Sequence, residues 1–443
     1  ALCRLKGVTA FCLASDEKEA QTLCNDLSCM GLRAYVYPVR DFNFLDFQSR
    51  SHEYEHARLK VLLKLINHEC DVAIACVDAA AQLTVPRNVL EQSVIEFEEG
   101  RELSLEKATK ALTLLGYERF DAVEGSGQFS LRGGILDFFM PDSDYPVRCE
   151  FWGDEITDLS YFDIETQRRF KKADKITLSP STEIVIEDRA ALADKIEHKA
   201  KLLRSKNSAK AKEKLFSEAE LIRSGAMIAN ADKFINQIYD KPESLFDYLD
   251  RNTLVFASEF TAIQERGKSM DFISNETLMQ GFEDGTLCRG FDRFALTFNE
   301  CTEFLQSHGT IVLENFVHGS MPIKLSEIIS FSTKQLSAWG GSYKQLKEDV
   351  DGLFTPESKG VIFAGTERAA KNLCDTFNAD GINAVYSEGA DKISKGELLV
   401  MQGALSAGFE YPSQKFFAIT YSQVSYRPEK SKKKKKKTGQ EIY

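Results

Sequence analysis

Residues 127–167 are written in a period of two. They read Gly-Gln-Phe-Ser-Leu-Arg-Gly-Gly-Ile-Leu-Asp-Phe-Phe, then Pro-Val-Arg-Cys-Glu-Phe-Trp-Gly-Asp-Glu-Ile after a short turn, then Phe-Asp-Ile-Glu-Thr-Gln. Ile135, Asp137 and Phe139 mark the alternation, and Val147, Cys149 and Phe151 repeat it. Such a period belongs to strands with one dry face and one wet face. Gly153-Asp154 suits a tight hairpin turn, because glycine accepts positive φ. The stretch therefore predicts three or four short antiparallel strands. It sets Arg132, Arg148 and Trp152 where a sheet would offer them to a partner. The same pattern also suits a structural meander whose arginines are merely solvated.

The flanking sequence has a different rhythm. Val8–Ala14, Leu32–Tyr37 and Asp71–Val77 are apolar runs of strand length. Between them lie helical patterns at Asp16–Leu27, with Ser15 as the expected cap, and at His56–Ile66, with Leu59, Leu62, Leu63 and Ile66 on one face. Strands that alternate with helices imply a parallel sheet with crossover connections. Leu103–Leu115 reads as a helix capped by Ser104 and closed by Gly116. Ala190–Arg223 reads as one long, charge-rich helical region whose lysines are interspersed with glutamates, so a solvated face competes with nucleic-acid binding. Asn252–Ser258 is a buried strand, and residues 326–426 form a separate small α/β unit. The expected domains are 1–93, 94–178, 179–325 and 326–426, followed by a lysine-rich linker at 427–443.

Composition narrows the classes. Hydrophobic residues make up 43% of 443, ample for globular cores and, on size, about three domains. The chain's net charge is −11. Eight basic residues and one glutamate between Arg427 and Lys437 give that tail +7, which leaves −18 for the rest. An acidic body argues against broad electrostatic wrapping of DNA. The run Lys432–Lys437 reads as a self-repelling linker, with contact to nucleic acid as the competing role. Ten cysteines show no Cys-x-x-Cys pair and no signal peptide precedes them, so they read as reduced, mostly buried thiols of a cytoplasmic protein. No apolar run approaches the roughly 20 residues of a membrane span. Ala1-Leu-Cys-Arg reads as the interior of a helix without an initiator Met, as in a fragment.

The middle stretch resembles the UvrA-binding domain shared by the excision-repair protein UvrB and the bacterial transcription-repair coupling factors. The resemblance runs through Arg132–Phe139, Arg148–Ile156 and Phe162–Arg168. A second stretch, Gly403-Ala-Leu-Ser-Ala-Gly-Phe-Glu-Tyr-Pro412 followed by Phe416–Thr420, resembles the coupling factors and has no counterpart in UvrB. The resemblance implies an α/β architecture: a degenerate helicase-like parallel-sheet lobe with an inserted antiparallel UvrA-binding domain, and a small C-terminal α/β domain. It implies the N-terminal, UvrB-like region of a coupling factor, acting as a recruitment scaffold in transcription-coupled repair. Arg132, Arg148 and Trp152 match the family's UvrA contacts, although the family often has Phe where Trp152 stands. It also implies that the parent protein is an ATP-dependent DNA translocase that acts on stalled RNA polymerase and double-stranded DNA. Its ATP and Mg²⁺ belong to motor domains beyond Tyr443.

Chemistry in the chain itself is sparse. No Gly-x-x-x-x-Gly-Lys-Ser/Thr occurs, so no phosphate cradle is visible. The strand that should end in Asp-Glu to hold Mg²⁺ reads Leu254-Val-Phe-Ala-Ser-Glu259, with Ser258 in place of Asp. No cofactor and no enzyme activity are therefore expected of this stretch. His52 and His56 stand at i and i+4, a zinc-like spacing that lacks a third ligand. Phe42, Phe44 and Phe47 suit either base stacking or packing beneath a loop. Two rivals stay open: a UvrB-type excinuclease subunit, and an active nucleotide hydrolase whose phosphate loop lies upstream of Ala1.

Overall fold

A computed structural model describes residues 7–40, 52–92, 95–204, 208–225, 231–316, 321–340, 342–389 and 393–421. Phe42, Phe44, Phe47, the helix expected at Ala1–Arg4 and the lysine run 432–437 lie outside them. The chain divides into two compact units with a break between Ser326 and Glu327; the short segment Asn25–Gly31 groups with the second.

The first unit opens with strand β1 (Ala10–Ala14), helix α1 (Glu17–Cys29), β2 (Ala34–Val36), α2 (Glu53–Ile66) and β3 (Val72–Cys76). Every residue of β1 and β3 is buried, as strands covered on both faces require. Ser15 does not cap α1. The Asp16 carboxylate accepts the Glu19 amide at 2.7 Å, and Ser15 instead donates its amide and hydroxyl to Glu19. Helix α2 buries Leu59, Leu62 and Leu63 together with Val61 and Leu65, leaving Ile66 half-buried.

The chain then leaves this sheet to build the middle domain. Its elements are β4 (Ile95–Glu98), α3 (Leu105–Leu114), β5 (Glu118–Arg119), β6 (Gln128–Arg132), β7 (Ile135–Phe138), β8 (Val147–Trp152), β9 (Glu155–Phe162), β10 (Arg169–Lys172) and β11 (Lys175–Leu178). Strands β10-β9-β8-β7-β6-β5 form one sheet in that order, and β4 pairs antiparallel with β11. The Ser104 hydroxyl caps α3 at the Lys107 amide, and Gly116 closes it at φ 89°.

The region Ala190–Arg223 is two helices rather than one: α4 (Arg189–Leu202) and α5 (Ser208–Ser224). They pack against each other through Leu192, Ala193, Ile196 and Ala200 on one side and Leu215, Ala219 and Ile222 on the other. Arg223 of α5 reaches back to Asp194 and Glu197 of α4 at 2.9 and 2.8 Å. A charge-rich helix that buries a narrow apolar stripe gains more from a facing helix than from length alone.

After β12 (Leu254–Ser258), α6 (Phe260–Asp284), α7 (Phe298–His308) and β13 (Ile311–Leu313), the first sheet is complete as β13-β12-β1-β3-β2, parallel throughout.

The second unit is a six-stranded sheet formed by β14 (Lys334–Leu336), β15 (Lys359–Phe363), β16 (Ala384–Tyr386), β17 (Glu397–Met401), β18 (Gly408–Tyr411) and β19 (Phe416–Thr420), in the order β14-β18-β19-β15-β17-β16. Helices α8 (Tyr343–Leu353) and α9 (Glu367–Ala379) contribute Leu346, Val350, Leu373 and Phe377 to its core. The stretch Gly403–Pro412 turns the chain from β17 into the antiparallel pair β18–β19. A Cβ on Gly408 would stand 2.9 Å from the Ala418 carbonyl, so the close approach of these strands depends on that glycine. Among the described residues of either unit, no helix is long and apolar enough to cross a membrane.

Candidate partner-binding face of the middle domain

The meander has an inner and an outer face. Val147, Cys149 and Phe151 of β8 are buried, as the alternation requires. On β7 the phase differs from the sequence expectation. Leu136 and Phe138 point into the core, where Phe97, Ala108, Leu112, Leu159 and Ile176 meet them. Asp137 lies on the opposite face, with Ser130 and Arg148 as its cross-strand neighbours. It is nonetheless only 1% exposed, because two arginines cover it. Gly153 sits at φ 64° in the two-residue turn between β8 and β9, and Gly133 at φ 62° in that between β6 and β7. A Cβ on Gly134 would stand 2.8 Å from the Phe151 carbonyl oxygen, so β7 and β8 meet closely only because that residue is glycine.

Arg132, Arg148 and Trp152 all lie on the outer face, in unequal states. Trp152 is 82% exposed. The Arg132 side chain is 49% exposed and donates from Nη2 to Asp137 Oδ2 at 2.7 Å. Arg148 was expected to be exposed as well, yet its side chain is 13% exposed and turned inward. Its Nε and Nη2 grip the two oxygens of Asp137 at 2.7 and 2.8 Å. Nη1 and Nη2 also donate to the Gln167 carbonyl and Oε1 at 3.1 and 3.0 Å, and the guanidinium lies 4.3 Å over the Phe162 ring. The bond from Asp137 raises the Arg148 pKa above the ordinary arginine value, against the opposing effect of burial. Asp137 is the carboxylate that both guanidinia bind.

Residue reasoning missed Asp137 and Gln167. Gln167 adopts φ 59°, a left-handed conformation unusual outside glycine. The turn before it accounts for that: Asp163 Oδ1 accepts from the Thr166 amide and hydroxyl at 2.8 and 2.7 Å, and the Gln167 amide donates to the Asp163 carbonyl at 2.7 Å. The Phe162–Arg168 sequence thus folds into a turn that delivers two acceptors to Arg148. Beside the arginines, Arg169 bridges Glu150 and Asp158. Trp152 and Ile135 flank a shallow hollow completed by Gly134, Glu150, Phe151 and Thr157. The face therefore combines an exposed aromatic, an apolar hollow and a half-exposed guanidinium with most of its donors unspent.

Residues 95–184 match the UvrB interaction domain family. The chain aligns over 440 residues with the transcription-repair-coupling factor of Bacillus subtilis at 26% identity, covering 96% of this chain and 37% of that protein. The corresponding factors of Staphylococcus epidermidis and Staphylococcus aureus align over 424 and 412 residues at 25% and 22% identity, in each case covering 91% of this chain and 35% of the relative. The chain is related to the transcription-repair-coupling factors. It spans a little over a third of the length of these curated relatives, and the matches support their N-terminal region.

A buried ionic cluster ties the middle domain to the elements around the first sheet. Arg58 of α2 is fully buried. Its Nε and Nη2 donate to Glu183, just past β11, at 2.6 and 3.3 Å, and its Nη1 donates to Gln82 Oε1 and the Pro38 carbonyl at 2.8 and 3.1 Å. Thr84 donates its hydroxyl to Glu183 at 2.6 Å, and the Tyr37 ring lies 4.1 Å beneath the guanidinium. Arg40 joins through Asp232 at 2.5 Å, with Glu183 and Glu55 at 3.6 and 3.7 Å. Glu55 accepts the Glu183 amide and the Thr182 hydroxyl at 2.8 Å each. Burial works to raise the Glu55 pKa, but the His52 hydrogen bond, Arg40 and the Glu183 amide bring it down to about 2. His52 and His56 stack with ring centroids 5.9 Å apart; among the described residues, no group of three or more His, Cys, Asp or Glu could hold a metal.

Ligands of parallel α/β sheets bind beyond the carboxyl ends of the strands, where helix N-termini attract anions. In this protein those positions hold carboxylates of its own chain. Glu19 accepts from Ser15 and, at 2.6 Å, from the Ser258 hydroxyl, so Ser258 ties the end of β12 to α1. Glu314 accepts the Phe260 amide at 2.8 Å at the start of α6. Glu259, at φ 54°, is half-buried and accepts from Asn315. A phosphate would meet negative charge at each of these places.

Proposed function

We propose that this chain is a recruitment scaffold that binds UvrA through the outer face of its middle domain, in the coupling of transcription to nucleotide-excision repair. The observation that carries the reading is the juxtaposition of an exposed Trp152 with a half-exposed Arg132 on one sheet face. Trp and Arg are the residue types most often found as interface hot spots, and an arginine with open donors suits a carboxylate on the partner. The match of residues 95–184 to the UvrB interaction domain supports the same partner.

The scaffold reading extends to catalysis: this stretch neither binds nor hydrolyses ATP and needs no cofactor or metal. The carboxylates at the strand ends and the absence of a phosphate-cradle sequence support it. ATP-driven translocation on double-stranded DNA, and contact with RNA polymerase, are then properties of a longer protein with ATP and Mg²⁺ in separate motor domains. The deciding experiment is a UvrA pull-down run beside an ATP-binding titration. Capture of UvrA without nucleotide binding is expected. Saturable ATP binding without UvrA capture would replace the scaffold with a nucleotide hydrolase.

A further inference from the structure

We propose that Asp137 is the positioning residue of the binding face, and that it divides the two arginines between different tasks. Arg132 takes a carboxylate from the partner, while Arg148 serves as the buried brace that fixes the site. This inference rests on the reading of the face as the UvrA-binding surface.

The donors of the two side chains decide the division. A guanidinium has five N–H donors in a planar fork. Arg148 directs four bonds inward: two to Asp137, one to the Gln167 carbonyl and one to Gln167 Oε1. Arg132 is seen in one, to Asp137 Oδ2, and half of its side chain is exposed. Asp137 Oδ2 is thus shared between the two guanidinia, at 2.7 and 2.8 Å. Both guanidinia draw on that one oxygen, and the exposed guanidinium of the two is that of Arg132. A planar carboxylate from the partner can pair with the outward edge of Arg132 while Asp137 keeps its inner edge fixed. The left-handed Gln167 and the Asp163–Thr166 turn complete the brace from the other side, by holding Arg148 on Asp137.

Two accounts of Asp137 differ in sign. If it were only a charge, Asp137→Asn would make the face more positive and tighten binding to an acidic partner. If it positions, Asn keeps the shape but turns an amide donor toward the guanidinia, and binding weakens. The test measures UvrA affinity of the full chain at low and moderate salt for wild type, Asp137→Asn, Asp137→Glu and Gln167→Gly. Thermal melts and the NMR Nε–H signal of Arg148 are recorded for each. The expected results are a loss of about tenfold or more for Asp137→Asn with the Arg148 signal broadened into exchange, and partial recovery in Asp137→Glu. Gln167→Gly is expected to lose affinity without a lower melting temperature, since glycine carries no penalty at positive φ. Asp137→Asn binding as well as wild type, or better, overturns the positioning role, and so does a loss in Gln167→Gly that only tracks unfolding. Absence of UvrA binding by the wild-type chain overturns the recruitment reading, and this inference with it.

Discussion

The protein contains two arginine–carboxylate clusters built from the same chemistry and put to opposite ends. At the junction of lobe and middle domain, Arg40 and Arg58 face Glu55, Glu183 and Asp232, and the guanidinium of Arg58 is sealed between Tyr37, Pro38, Gln82 and Glu183. On the outer sheet, two arginines share the single carboxylate of Asp137, and one of them stands half in water. The sealed cluster is short of cations and the open one is short of anions. Only the second has a reason to attract a charged partner. An arginine's role is therefore set by how many donors remain unspent and whether water reaches them.

The contrast can be broken most forcefully at the sealed end. Glu183→Ala would leave Arg58 buried without its carboxylate, at a cost of about 3–5 kcal/mol. Denaturant unfolding of the full chain checks this, and a loss below about 1 kcal/mol would show that water reaches the junction. Acid titration sharpens the same point. The Glu55 pKa falls from 4.5 to about 2 on folding, so the unfolded chain takes up the proton first as pH drops. Its contribution is complete above about 4.5 and is lost as pH falls toward 2. Glu55→Gln is expected to flatten the pH dependence of the melting temperature across that window.

Effects at the open cluster should be smaller and should appear in binding rather than folding. Arg132→Ala is expected to cost on the order of 2 kcal/mol of UvrA binding, read by titration calorimetry. Its effect on folding stability should stay within about 0.5 kcal/mol, as for other surface substitutions. Arg148→Ala breaks the division between the clusters if it behaves like Arg132→Ala. The brace predicts instead that it lowers the melting temperature as well as the affinity, because Asp137 then keeps one partner of two.

Much of this was legible in the sequence, and the gaps have physical causes. The period of two on β8 separated Val147, Cys149 and Phe151 from Arg148 and Trp152 correctly, because one face of that strand is dry and the other wet. The same reasoning failed on β7. Asp137 is on the outer face and still buried, so neither face of that strand is wet. Burial beneath long arginine side chains has no periodic signature. Gln167 was hidden for a different reason: its role depends on a left-handed backbone that sequence does not announce outside glycine. The break between α4 and α5 was also missed; the apolar stripes of the two helices, within 192–200 and 215–222, meet only in three dimensions. Glu259 at the end of β12 was readable from the sequence; Glu19 and Glu314 were not, because Glu19 meets Ser258, and Glu314 meets the start of α6, only in three dimensions.

The account's central claim is that the outer face of the middle domain, and not the sealed junction, is where UvrA docks. The most direct test is the UvrA affinity of the full chain carrying Arg132→Ala and Trp152→Ala together, measured beside its thermal melt. A loss of binding of at least a hundredfold with an unchanged melting temperature is expected, from two hot-spot residues each contributing about 2 kcal/mol less some non-additivity. Wild-type affinity in that double variant would contradict the claim and move the docking surface elsewhere on the chain.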